Sequence, residues 1–195
     1  MRAMERTGMI AAVHRSVAVE VGTVLAGAAV LAGASRLALP VGPVPLTAQT
    51  LAVLLLGALL GAKRGTASVV TFLLAGAAGA PIFAYGGGAG YLLGPTGGYL
   101  VGFIPAAYLA GDLVERGWGR SLSGALLAMG IADATIFACG LTWLGAWAWG
   151  SGLMPMERVL TEGLWWCVPG EAIKVVLAAM IVSGGHRPRR PRLSA

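Results

Sequence analysis

An all-α integral membrane protein of about six transmembrane helices is the fold this sequence predicts, and three observations carry that reading. Of 195 residues, 57% are apolar and 11% charged, with a mean hydropathy of +0.79, so the chain prefers lipid to water. At about 20 residues per span, the length holds roughly six helices on short connections and no separate soluble domain. The basic residues are grouped in alternate connections, as the positive-inside rule requires of a chain that crosses a membrane repeatedly.

The apolar segments are, in order, 18–39, 47–62, 65–84, 97–113, 122–149 and 164–183. A polar, mixed-charge leader, residues 1–16, precedes the first. It has no small-residue cleavage site after a short apolar core, so the first segment reads as an anchor and not as a removable signal. The second segment is short, and the fifth is long enough to tilt or to end in a loop. The sixth opens on Pro169-Gly170, a pair suited to starting a helix and bringing positive backbone partial charge toward the acid that follows. Residues 17–183 form the membrane domain, and 184–195 a basic tail.

The formal charge of +6 would suggest nucleic acid in a soluble chain, but here the placement of charge matters more than its total. With both termini cytoplasmic, the inner side carries Arg2, Arg6, Arg15, Lys63, Arg64, Arg116, Arg120, Arg187, Arg189, Arg190 and Arg192. That is 11 of the 14 basic residues; outside are Arg36 and Arg158, and Lys174 lies in the last span. No nucleic-acid partner follows from such a pattern. The tail 187–192 reads as a topogenic, solvated end or as a contact with anionic lipid or a partner. His14 and His186 lie in basic terminal segments. Cys139 and Cys167 lack metal-type spacing and read as small buried thiols.

The outer connections differ from the inner ones. Residues 40–50 hold three prolines in six positions, which keeps them semi-extended. Residues 85–99 are rich in glycine and allow close backbone approach. Gly86-Gly-Gly-Ala-Gly90 loosely resembles a phosphate-binding loop, but no strand precedes it and no Walker lysine follows. A re-entrant segment over a cavity fits better, with a plain connector as the alternative.

Glu171 and Lys174 are the strongest functional lead. They stand three residues apart, on one helix face, inside an otherwise apolar span. A charge near the centre of a membrane helix costs roughly 2.5–3.5 kcal/mol, so the two serve either a ligand or a packing ion pair. Asp133, in the fifth segment, faces the same cavity or pairs with another helix.

In register along the chain, Gly42-Pro-Val-Pro-Leu-Thr-Ala-Gln-Thr-Leu51, Gly79-Ala-Pro-Ile-Phe-Ala84 leading to Gly86-Gly-Gly-Ala-Gly90, Gly94-Pro-Thr-Gly-Gly-Tyr-Leu-Val-Gly-Phe103 and Pro169-Gly-Glu-Ala-Ile-Lys174 resemble the BioY family. These are the biotin-specific substrate-binding subunits, or S-components, of energy-coupling-factor (ECF) transporters. The resemblance runs from about Val19 to Val182. It implies a six-helix S-component in the bacterial cell membrane, capturing biotin from outside and working with a transmembrane coupling subunit and two cytoplasmic ATPases. The chain has no Walker motif of its own, so if ATP drives uptake, partners must supply it. Biotin here is the transported ligand, and no catalytic cofactor or metal is implied.

Biotin offers a cyclic urea with one carbonyl acceptor and two N–H donors, an apolar thioether ring and a carboxylate tail. Glu171 can accept from an N–H, and Lys174 can donate to the urea oxygen or the tail. The family usually has Asp where this chain has Glu171, one methylene longer. Thr47, Gln49 and Thr50 lie at the mouth of the second span, where Gln49 either bonds the urea or caps the helix. Tyr85, where many relatives carry Asn, and Tyr99 either contact ligand or anchor at the interface. Trp143 or Trp147 could wall the ligand ring, and the tryptophans otherwise form an interfacial belt. In the resembling family an Ala-xxx-Ala surface on the first helix meets the coupling subunit, which points to Ala28 and Ala32, with Ala29 and Gly33 as a second small pair; packing within the chain is the alternative.

An intramembrane enzyme is disfavoured, because neither histidine lies in a span and no serine sits in a Gly-x-Ser-x-Gly elbow. An S-component for another vitamin and a proton-driven biotin carrier using Glu171 and Lys174 remain as alternatives.

Overall fold

The computed structural model describes residues 2–40 and 42–185, with side chains from residue 17 onward. Its principal helices are α1 (Arg2–Ser35), α2 (Gln49–Leu60), α3 (Ala62–Ala77), α5 (Gly97–Glu115), α6 (Leu122–Ser151) and α8 (Val168–Gly185). Single turns, α4 (Ala89–Leu92) and α7 (Glu157–Leu160), punctuate the connections, and β1 (Ala38–Leu39) pairs antiparallel with β2 (Leu46–Thr47). The Arg187–Arg192 tail and His186 lie outside the described residues, as do the side chains of the 1–16 leader.

Each apolar segment contains one principal helix, but they are not equal. Val17–Ser35, Gly97–Glu115, Leu122–Ser151 and Glu157–Gly185 are long and apolar enough to cross a membrane. The 12 residues of α2 and 16 of α3 are shorter than the expected spans. Gly61, at φ 85°, breaks the run between α2 and α3, and Gly79, at φ 107°, followed by Pro81, ends α3 well before residue 84. The helix of the first segment reaches back to Arg2, so the leader continues directly into α1, and it stops at Ser35 where the chain turns into β1. The fifth segment is one uninterrupted helix, α6.

Helix α5 is the hub, packed against α2, α3 and α6. Missing side chains make this closeness possible. A Cβ on Gly57 of α2 would sit 2.3 Å from the Ala107 carbonyl oxygen of α5, and one on Gly111 of α5 would sit 2.3 Å from the Ala62 nitrogen of α3. The Glu115 carboxylate accepts the Ala62 N–H at 2.9 Å, which satisfies one of the four free donors at the start of α3.

Helix α1 lies at the rim, resting on α3 and α2 through Gly27, Leu31 and Ser35. Val17, Val19, Val21, Leu25 and Val30 point outward and are exposed, as are Ile173, Met180 and Ile181 of α8. Such faces are stable in lipid, where apolar surface needs no burial. Ala28 and Ala32 are half-buried against the chain's own core, whereas Ala29 and Gly33 are exposed. The pair singled out for docking thus packs inward, and the second small pair faces out.

Connections gather at two ends. At one, Ser35 Oγ donates to the Ile82 carbonyl at 2.7 Å and the Arg36 guanidinium donates to the Pro81 carbonyl. Phe83 is fully buried there, edge-on to Phe72 with ring centroids 5.4 Å apart. At the other end lie the Glu20–Arg64 and Asp112–Arg116 ion pairs.

Substituting Gly57 by Val should force α2 from α5 and destabilise the detergent-solubilised chain by about 1–3 kcal/mol or more. Gly33→Ala, where nothing lies within 4 Å, should leave the thermal midpoint nearly unchanged. Parallel thermal unfolding of the two variants checks this.

Candidate functional site

The cavity opens beneath the β1–β2 hairpin, between α2, α5, α6 and the start of α8. It contains about 530 Å³ of empty space, part of it open at the mouth, and its lining includes Val44, Pro45, Thr47, Gln49, Thr50, Ala84, Tyr91, Thr96, Tyr99, Leu100, Phe103, Ile136, Phe137, Cys167 and Glu171. Its walls are largely apolar with a few convergent polar groups, the character of a site for a small organic molecule.

The polar groups form one connected network. Lys174 Nζ donates to Glu171 Oε1 at 2.7 Å, to Thr50 Oγ1 at 3.0 Å and to the Thr47 carbonyl at 2.5 Å. Thr50 Oγ1 in turn donates to Glu171 Oε2 at 2.7 Å. All three ammonium protons are therefore used, and both carboxylate oxygens are occupied. The side chains are only 13% and 7% exposed for Lys174 and Glu171, so each charge depends on the other for compensation. Through the Thr47 carbonyl, the same ammonium ties β2 of the hairpin to α8.

Local sequence explains why the hairpin can lie so close. Gly170 carries no side chain where Leu46 of β2 packs, and a Cβ there would approach Leu46 to 2.8 Å. At the hairpin's far side, Gly42, at φ 68°, sits against the ring of Trp166. Above α8 the last span passes through a wide π turn, Thr161–Trp165. Cys167 N–H bonds the Leu164 carbonyl, which leaves the Gly163 carbonyl for the Tyr99 hydroxyl at 2.8 Å. Tyr99 thus braces the break in the helix while its ring lines the cavity, edge-on to Phe137.

Gln49 holds the group most in need of a partner. Its side chain is 3% exposed, Thr47 Oγ1 donates to its Oε1 at 3.2 Å, and its Nε2 has no acceptor. The side chain does not cap α2: the Gln49 N–H is bonded instead by Thr47 Oγ1. A buried donor without a bond costs about 1–3 kcal/mol, which a ligand oxygen would recover.

Among the sequence-derived candidates, Glu171, Lys174, Thr47, Gln49 and Tyr99 come together here, and Thr50 with them. Tyr85 does not: it is 60% exposed and absent from the lining. Tyr91, six residues on, takes that place, packed against Phe83; burial pushes its phenol above the ordinary value, so it is neutral at pH 7. Trp143 and Trp147 are not lining residues either. Trp143 Nε1 donates to the Gly94 carbonyl at 2.8 Å and pins the glycine-rich connection to α6, while Trp147 packs on the core. That connection contributes Tyr91 and Thr96 to the cavity lining, next to Ala84 just before it. The apolar walls, Leu100, Phe103, Ile136 and Phe137, had no signal in sequence, being apolar residues in apolar spans. Both cysteines are free thiols, and Cys167 is on the cavity wall.

Removing one member of the buried pair should cost more than removing both. Lys174→Met alone should destabilise the ligand-free chain by about 3–5 kcal/mol, and Lys174→Met with Glu171→Gln should recover most of it. Tyr99→Phe, which strands the Gly163 carbonyl, should cost about 1–3 kcal/mol. Thermal unfolding in one detergent checks both.

Known proteins resemble this chain in sequence and in fold. The chain matches the BioY family over residues 6–190. It is 39% identical over 147 residues to a biotin transporter BioY of Thermotoga maritima, covering 74% of this chain and 82% of that protein. A biotin transporter BioY of Rhodobacter capsulatus is 35% identical over 164 residues, covering 74% and 80%. A crystal structure of the S-component for biotin from an ECF-type ABC transporter superposes with a TM-score of 0.76 at 27% identity, covering 89% of this chain and 94% of that one. A match along nearly the whole chain, in sequence and in fold, shows that this membrane protein belongs to the BioY family.

Proposed function

We propose that the chain captures biotin in this cavity, from the outer side of the bacterial cell membrane, as the substrate-specific subunit of an ECF-type importer. The observation that carries the reading is the Glu171 carboxylate, paired with the buried Lys174, together with the unbonded Gln49 amide on the wall of one largely apolar cavity. Biotin matches this pattern. Its urea N–H groups can donate to Glu171, its urea oxygen or tail carboxylate can accept from Gln49 Nε2 or Lys174, and its thioether ring suits Phe103, Ile136 and Phe137.

The topology that goes with this reading has six membrane segments, the two short helices α2 and α3 included, and both termini in the cytoplasm. The basic Lys63–Arg64 and Arg116–Arg120 turns then face inward and the hairpin faces out, in keeping with the charge distribution. A transmembrane coupling subunit and two ATPases supply the energy for release to the inside. The small, exposed residues Ala29 and Gly33 on α1 suit close approach of a partner helix.

Equilibrium binding of labelled biotin to the purified, detergent-solubilised chain tests the proposal, with thiamine and riboflavin as competitors. Tight binding that neither competitor displaces is expected. Glu171→Ala and Lys174→Ala should each weaken it at least about tenfold, the loss expected for a hydrogen bond to a charged group. A folded wild type that ignores biotin would overturn the proposal.

A further inference from the structure

Asp133 is a buried charge-bearing group that the site as described does not use. It is 9% exposed, its Oδ1 has no hydrogen-bond partner, and it belongs to none of the ion pairs among the described residues. A carboxyl group left so in apolar surroundings is costly, and its retention needs a reason.

Position supplies one. Asp133 lies one helical turn before Ile136 and Phe137 of α6, both on the cavity wall. On α8, Lys174 lies one turn beyond Glu171. The two helices pack together and are joined through the short α7 region, so they run in opposite directions. One turn before Ile136 on α6 and one turn beyond Glu171 on α8 therefore lie on the same side of these wall residues. The charges of Glu171 and Lys174 both act on Asp133 there.

The bonding of Lys174 shows what the group could do. Its three protons are committed to Glu171, Thr50 and the Thr47 carbonyl. A ligand oxygen that recruits Lys174 must displace one of these acceptors, and a ligand N–H that recruits Glu171 draws the carboxylate away from the ammonium. Where the ligand draws Glu171 away, or a neutral urea oxygen takes the place of Glu171 on Lys174, the ammonium loses compensation in a low-dielectric setting, where an uncompensated charge is expensive. Asp133 Oδ1 is an acceptor with free capacity on that side of the cavity.

We infer that Asp133 is a positioning residue for ligand capture: the reserve counter-ion that holds Lys174 in place when a bound ligand draws on the Glu171–Lys174 pair. The inference rests on the reading that this cavity takes biotin. It differs from a packing role in a measurable way, because a reserve counter-ion contributes to the liganded state and not to the empty one.

The test compares wild type, Asp133→Asn and Asp133→Glu, full-length and in one detergent, by biotin affinity and by the thermal midpoint without ligand. Asp133→Asn should weaken biotin binding by about tenfold or more while the ligand-free midpoint stays level or rises. Asp133→Glu should recover part of the affinity. Unchanged affinity in Asp133→Asn would overturn the inference, as would a loss of affinity that tracks a loss of ligand-free stability, or a loss that glutamate does not relieve at all. Failure of wild type itself to bind would instead remove the biotin reading on which the inference rests.

Discussion

The Lys174 ammonium is the point on which the site depends. From α8 it reaches a carboxylate on its own helix, a hydroxyl on α2 and a backbone carbonyl on the hairpin, so three separate pieces of chain are held by one charged group. In an apolar interior such a group is stable only when every proton is bonded and its charge is matched. Glu171 supplies the charge, and Thr50 closes the ring by donating to the carboxylate while accepting from the amine. The hairpin over the cavity is thereby tied to the residues that would meet a ligand, which links occupancy of the site to the hold on its cover.

Around this network the scaffold is built for close, rigid packing. Gly57 and Gly111 let α2, α3 and α5 meet at backbone distance, and Gly170 lets Leu46 rest on α8. With apolar surfaces facing lipid, burial of hydrocarbon provides little drive between helices, so contact distance and satisfied polar groups take its place. The break in the last span shows the same economy: a π turn frees the Gly163 carbonyl, and Tyr99 fills it.

Much of this was legible in the sequence. Composition gave the membrane setting, and two opposite charges one turn apart in an apolar run marked the pair that the fold buries and bonds together, because charge contrasts sharply with its surroundings there. Four ordered motifs gave the family. What contrast cannot reveal was missed. Leu100, Phe103, Ile136 and Phe137 are apolar in apolar spans and signal no direction. Tyr85 and Tyr91 flank the same glycines, and only the fold turns Tyr91 in and Tyr85 out. On α1, small residues occur on more than one face, so nothing in the sequence distinguishes inward Ala28 and Ala32 from outward Ala29 and Gly33. Helix lengths were overestimated where a glycine at positive φ, Gly61 or Gly79, ends a helix inside a hydrophobic run.

The most direct measurement is a structure of the chain with biotin bound, resolved well enough to place side chains. The account predicts the ligand in the cavity under the hairpin, with polar atoms within about 3 Å of Lys174 Nζ or a Glu171 carboxylate oxygen and of Gln49 Nε2. At least one of the three bonds that Lys174 makes in the empty site should be exchanged for a bond to ligand. Biotin seated elsewhere, with the Lys174, Glu171, Thr50 and Thr47 network intact and the Gln49 amide still unbonded, would contradict it.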